Sequence, residues 1–199
     1  MENTLTLEQM FEMQKVLDAR IIKEKGLEGV DLLPNTILAL QVEIGELANE
    51  WRGFKHWSKN QKPRTRAVRS LGVDDIGVER GEAYNPLLEE YVDCLHFFLS
   101  IARQLKLPAD DLYVWEDVVE AETAILFTDL LHNVGLILGD KLLATPPNDN
   151  AKFQREHFRS ALFAFYSLGE QRLGFTFEQI AEAYAAKNKV NHDRQSNGY

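Results

Sequence analysis

An all-α helical bundle is the fold this sequence predicts, and three observations carry it. Apolar residues recur at three- and four-residue spacing along most of the chain. Two Thr-x-x-Gln boxes, Thr6 with Gln9 and Thr176 with Gln179, stand where helices would open. No run alternates apolar and polar residues as a half-buried strand would, so the expected layers are helix on helix.

Thr6 caps the first helix, whose apolar positions are Met10, Phe11, Leu17 and Ile21, and Gly26 ends it. A second helix starts near Pro34, which a first turn accepts, and is expected to reach about Trp57. The third runs from Pro86 to Leu105, stopped by Pro108. A fourth is expected from Asp110 to about Leu143, with breaks possible at Gly135 or Gly139. The loop "TPPNDN" (145–150) separates it from a fifth helix, Lys152 to Leu173, and Thr176 opens the sixth. Residues 59–85 stand apart, with a basic half, an acidic half and three glycines. They read as a charged loop or insertion, either a solvated surface loop or a lid whose cations meet an anionic ligand.

The 199 residues suffice for a single domain, 1–199, with a substantial core. A net charge of −9 argues against a nucleic-acid partner, which needs a basic footprint. The single cysteine, Cys94, cannot form an internal disulfide. No basic region followed by an apolar run opens the chain, and no apolar run reaches membrane-spanning length. A cytosolic (cytoplasmic) protein without a membrane partner is therefore expected.

Chemistry is concentrated on two helices. Glu43, Glu46 and Glu50 stack at i, i+3 and i+7, close beside the apolar stripe Leu40, Ile44, Leu47 and Trp51. On the third helix Glu90 and Asp93 lie at i, i+3, in line with Phe97 and Ile101. Burying unpaired carboxylates is costly, and converging ones also repel; a cation between the two pairs resolves both problems. Carboxylates without thiolate or obligatory imidazole suit Mg²⁺, with Mn²⁺ as a possible substitute. A di-iron bundle would show Glu-x-x-His on two helices, whereas Asp93-x-x-His96 occurs once, so His96 reads as pocket wall. Mg²⁺ on few carboxylates shares its site with phosphates, which points to phosphate chemistry on a small molecule. On the sixth helix the core line Ile180, Ala183 and Tyr184 turns polar at Lys187, Asn191 and Arg194, which are candidate phosphate donors.

These residues resemble a known family. E-x-x-E followed by E-x-x-D is similar to the signature of the all-α, MazG-like nucleoside triphosphate pyrophosphatases. "FEMQKVLDARI", "LALQVEIGELANEWRGFKHWSK", "NPLLEEYVDCLHFFLSIA" and "YAAKNKVNHDRQSNGY" resemble its dimeric dUTPase branch. The resemblance implies a homodimer that hydrolyses dUTP, and also dUDP, to dUMP by water attack on the β-phosphorus. It implies Glu43, Glu46, Glu90 and Asp93 as metal ligands, with Glu46 as general base. It places Gln14 at the uracil edge, Trp57 near the base, and His96 and Phe97 along the deoxyribose. It assigns phosphate binding to the last segment, where Asn188 and Tyr199 join Lys187, Asn191 and Arg194. Two alternatives stay open. One is a MazG-like enzyme for another nucleotide such as dCTP, since the Gln14 amide can flip to present the opposite donor–acceptor order. The other is a non-enzymatic nucleotide-binding helical protein with a structural cation. Glu50, Glu122, Asp129 and Asn133 receive no role.

Overall fold

The computed structural model of the chain describes residues 4–73, 79–115 and 117–198. Thr6 opens α1 (Leu7–Glu24): its hydroxyl accepts from the Gln9 amide, and Gln9 Oε1 accepts from Thr6 N at 2.8 Å. Helix α2 (Leu33–Trp51) carries Pro34 in its first turn. It ends six residues before the expected Trp57. Arg52 takes a left-handed conformation (φ 65°), and a side chain on Gly53 would collide with the Trp51 indole, so the chain turns there. Trp51 instead stacks on Phe127, ring centroids 5.3 Å apart.

The 59–85 segment contains the main departure from expectation, an antiparallel hairpin of β1 (Ala67–Val73) and β2 (Glu79–Tyr84). Its register slips between Ser70 and Gly72, and Gly72 has φ +91°. The hairpin lies largely in solvent and buries no face. Its sequence therefore lacks the apolar–polar alternation by which strands are recognised.

Helix α3 (Pro86–Gln104), capped by Asn85, is the central element, with Tyr91, Cys94, Leu95, Phe98 and Leu99 all buried. It packs along α2 and also meets α1 and α6. The fourth helix, α4 (Thr123–Leu136), starts thirteen residues later than expected from Asp110. Tertiary partners hold the preceding stretch. Asp111, 1 % exposed, accepts from Arg155 and Arg159, and Trp115 stacks on Phe163. Gln171 and Arg172 bond the carbonyls of Asp117, Val119 and Ala121. The β-branched Val114, Val118 and Val119 add little helical preference to oppose this. Glu122 is the cap residue of α4, and Asn133 bridges Asp129 to His157 on α5 (Asn150–Ser167). A short wide turn (168–172) leads to α6 (Phe177–Ser196), opened by the second Thr–Gln box. Among the described residues, no helix is long and apolar enough to cross a membrane.

Candidate functional site

Because α2 and α3 pack side by side, the edges of their apolar stripes face each other. Glu43, on the α2 edge, and Glu90 and Asp93, on the α3 edge, are each partly buried and bring one carboxylate oxygen apiece within 4.8 Å of one another. Burial, reinforced by the charges of Asp93 and Glu46, pushes Glu43 up to about 7. Burial and the same neighbours do likewise to Glu90, also to about 7. Asp93 is raised by burial, although the Lys187 ammonium opposes the shift. Glu46 is exposed and stands near enough for its charge to act on both glutamates. Oxygen-only donors converging from two helices, their charged forms disfavoured by burial and by mutual repulsion, fit a hard divalent cation.

Helix α6 supplies the cationic side. Lys187 Nζ lies 2.5 Å from Asp93 Oδ2 and 3.2 Å from Glu89 Oε1. Burial alone would lower its pKa, but the two carboxylates outweigh that and hold it above its ordinary value. Arg194, two turns further on, is exposed and its charge reaches Asp93. Asn191 is half-buried between them in sequence. Asn188 is buried beside the Tyr184 hydroxyl, and its Nδ2 makes no well-formed hydrogen bond. Tyr199 lies outside the described residues.

A buried polar wall adjoins the acidic cluster. The Gln14 carbonyl Oε1 meets His96 Nδ1 at 2.7 Å and accepts from the Tyr184 hydroxyl at 3.0 Å. Its amide Nε2 donates to Asp18 at 2.7 Å. Since Oε1 can only accept, His96 Nδ1 carries the proton, and Nε2 is left as a lone-pair acceptor. That Nε2 is buried without a partner. Burial, aided by Lys187, lowers His96 to about 3, so the ring is neutral. Phe97 follows it on α3, half-buried. Trp57, by contrast, is 68 % exposed beyond the end of α2 and packs edge-on against Phe54 and His56.

Several partners of these residues lie outside the motifs that mark the site in the sequence. Asp18 fixes Gln14 and also accepts from Ser100 at 2.7 Å and Arg103 at 3.0 Å. The signal was available: Gln14 and Asp18 are i, i+4 on one helix face. Tyr184 reads as core, yet its hydroxyl serves Gln14. Glu50, left without a role, pairs with Arg64, which no spacing rule could reveal across a loop. A large cavity of about 1050 Å³ lies elsewhere, bounded by Leu5, Tyr113, Trp115, Phe163 and Phe177. It holds none of the converging carboxylates, so the acidic cluster remains the chemically equipped site.

Comparison with known proteins identifies the family. A family model described as dUTPase matches residues 6–76 and 79–199. No curated protein matches the chain.

Proposed function

This chain belongs to the all-α dUTPase family and is a dUTP-hydrolysing enzyme, and from that premise we propose a metal-dependent mechanism built on α2, α3 and α6 of one domain. The family generally uses a divalent metal. The observation that carries the proposal is the convergence of Glu43, Glu90 and Asp93 within 4.8 Å, with Lys187 alongside.

In this reading Glu43, Glu90 and Asp93, joined by Glu46 at the edge of the cluster, would hold Mg²⁺, or Mn²⁺ in its place. The bound cation would supply charge that offsets the phosphate oxygens and makes a coordinated water more acidic. Glu46, exposed at the edge of the cluster, accepts a proton from the attacking water. Water oxygen bonds to the β-phosphorus while the bond from that phosphorus to the α–β bridging oxygen breaks. The products are dUMP and pyrophosphate; the same attack on dUDP leaves dUMP and phosphate. Lys187 and Arg194, with Asn191 and Tyr199, donate to the outer phosphate oxygens.

Base choice rests on two of the buried atoms left without a well-formed hydrogen bond, His96 Nε2 and Asn188 Nδ2. One is an acceptor and the other a donor, which matches the uracil N3–H beside a carbonyl oxygen. Cytosine offers an acceptor at N3 and would leave His96 Nε2 facing a second lone pair. The Gln14 amide is not free to flip, because Asp18 takes its N–H while Tyr184 donates to its oxygen. These atoms favour dUTP over the dCTP alternative. Phe97 packs against C2′ and excludes a ribose hydroxyl; Trp57 reaches the base only if its turn closes inward.

A homodimer completes the proposal. Leu38 and Val42 on α2 are 63 % and 51 % exposed, and Ile125 on the neighbouring α4 is 57 % exposed, apolar area that a second copy would cover. Sedimentation should give a dimer, and a fully active monomer would remove that part. The central test is a panel of dUTP, dUDP, UTP, dTTP and dCTP with Mg²⁺, scoring monophosphate release. dUTP and dUDP should be turned over and the others poorly; equal kcat/KM for dUTP and dCTP would overturn the base assignment.

A further inference from the structure

We propose that Glu89 is a positioning residue: its two carboxylate oxygens hold one cation from the hairpin, Arg69, and one from α6, Lys187, and set both toward the substrate's outer phosphates. This rests on the phosphate-hydrolysing reading given above. Glu89 sits in the first turn of α3, where a glutamate can simply complement the helix N-terminus. Here it does more. Oε1 accepts from Lys187 Nζ at 3.2 Å and Oε2 from Arg69 Nη2 at 2.6 Å. Arg69 also lies over the Tyr84 ring, 4.5 Å from its centroid, which fixes the guanidinium plane at the root of β2.

The geometry of Lys187 explains why a second carboxylate is needed. Asp93 alone would draw the ammonium into the acidic cluster, where it competes with a divalent cation for the same oxygens. Glu89, one turn earlier on the same face of α3, offers a second carboxylate, so Lys187 bonds both and keeps a third N–H for a ligand. The Arg69–Glu89 pair contributes little to stability, because Arg69 is 49 % exposed and solvent screens it. What it adds is direction. It ties β1, through Arg69, to the face of α3 that bears Asp93.

The test uses Glu89→Gln, Glu89→Asp, Arg69→Gln and the double variant Glu89→Gln/Arg69→Gln, each checked for helical content. Kinetics with dUTP and calorimetric binding of dUMP are measured in the same Mg²⁺ buffer. Glu89→Gln should raise KM for dUTP roughly tenfold, the usual scale for one charge-assisted hydrogen bond, with kcat changed far less. Binding of dUMP, which lacks the outer phosphates, should be unchanged, and Glu89→Asp should recover part of the loss. Arg69→Gln should raise KM as well, and the double variant should fall short of the combined single effects. An unchanged KM, equal weakening of dUMP, or full additivity would each overturn the role. Should Glu89→Gln misfold, Arg69→Gln and Glu89→Asp carry the same comparison. Parent turnover of dUTP is measured alongside, so a failure of the functional reading appears in the parent, and a failure of this inference in the variants alone.

Discussion

His96 lies nearly flat against Tyr184, ring centroids 4.2 Å apart and planes 20° from parallel, and both side chains meet the same carbonyl oxygen of Gln14. α1, α3 and α6 thus share one hydrogen-bonded junction beside the acidic cluster. Tyr184→Phe keeps the stacking and removes one donor to Gln14. It should raise KM for dUTP by roughly fivefold, as expected for losing about 1 kcal/mol of hydrogen bonding. Unchanged steady-state kinetics in this variant would separate Gln14 from base recognition.

Loss of metal should silence the enzyme. Activity should disappear in chelator and return with Mg²⁺ or Mn²⁺. Glu46→Gln and Asp93→Asn should each lower kcat by roughly a hundredfold or more, the range for removing a catalytic base or a charge-stabilising group. Pyrophosphate release is the readout. Full activity of both variants would remove the acidic cluster from the chemistry.

Acid should stabilise the metal-free protein. Glu43 and Glu90 keep their protons to about pH 7 when folded, against an ordinary value of 4.5. Between those values the folded state binds more protons than the unfolded chain, so stability falls as pH rises through this window. Without divalent metal, Tm should therefore be higher near about pH 5.5 than near about pH 7.5 on account of these groups. Added Mg²⁺ should reverse the trend, because it binds the ionised carboxylates and displaces their protons. Glu43→Gln with Glu90→Gln should flatten the metal-free dependence. Thermal unfolding across pH, with chelator and with Mg²⁺, checks all three.

The last turns of α6 should be needed for catalysis more than for folding. Deleting residues 187–199 removes Lys187 and Arg194 while leaving the buried Ile180, Ala181 and Tyr184 in place. Helical content should be largely kept and dUTP turnover lost. Arg194→Ala should weaken kcat/KM for dUTP far more than dUMP binding. A truncated protein with the parent's rate would return this segment to the role of a tail.

The helices were legible because each buries a stripe against another. The Thr6 and Thr176 boxes and the bounds of α3 follow from local chemistry alone. Glu43, Glu90 and Asp93 were legible for a different reason: carboxylates beside an apolar stripe are too costly to leave unexplained. What escaped was decided by distant partners. Residues 113–115 and 117–122 fall where a helix is expected, yet Gln171, Arg172 and Phe163 hold them in another form. The hairpin buries no face and so leaves no alternation to read. Asp18, Glu50 and Glu89 look like ordinary surface acids until their partners on other elements are known.

Arg64 closes the base of the hairpin. Its N–H donates to the Glu50 carbonyl at 3.0 Å, its own carbonyl accepts from Leu87 N at 3.2 Å, and its guanidinium pairs with Glu50. The end of α2 and the start of α3 are thereby clamped to one residue, whatever lies between 64 and 87. Lengthening a loop whose ends are already fixed costs little, roughly 0.6 kcal/mol for each doubling. The family match itself is interrupted at residues 77–78, inside this stretch. An epitope or fluorescent reporter spliced in between β1 and β2 should therefore leave Glu43 beside Asp93.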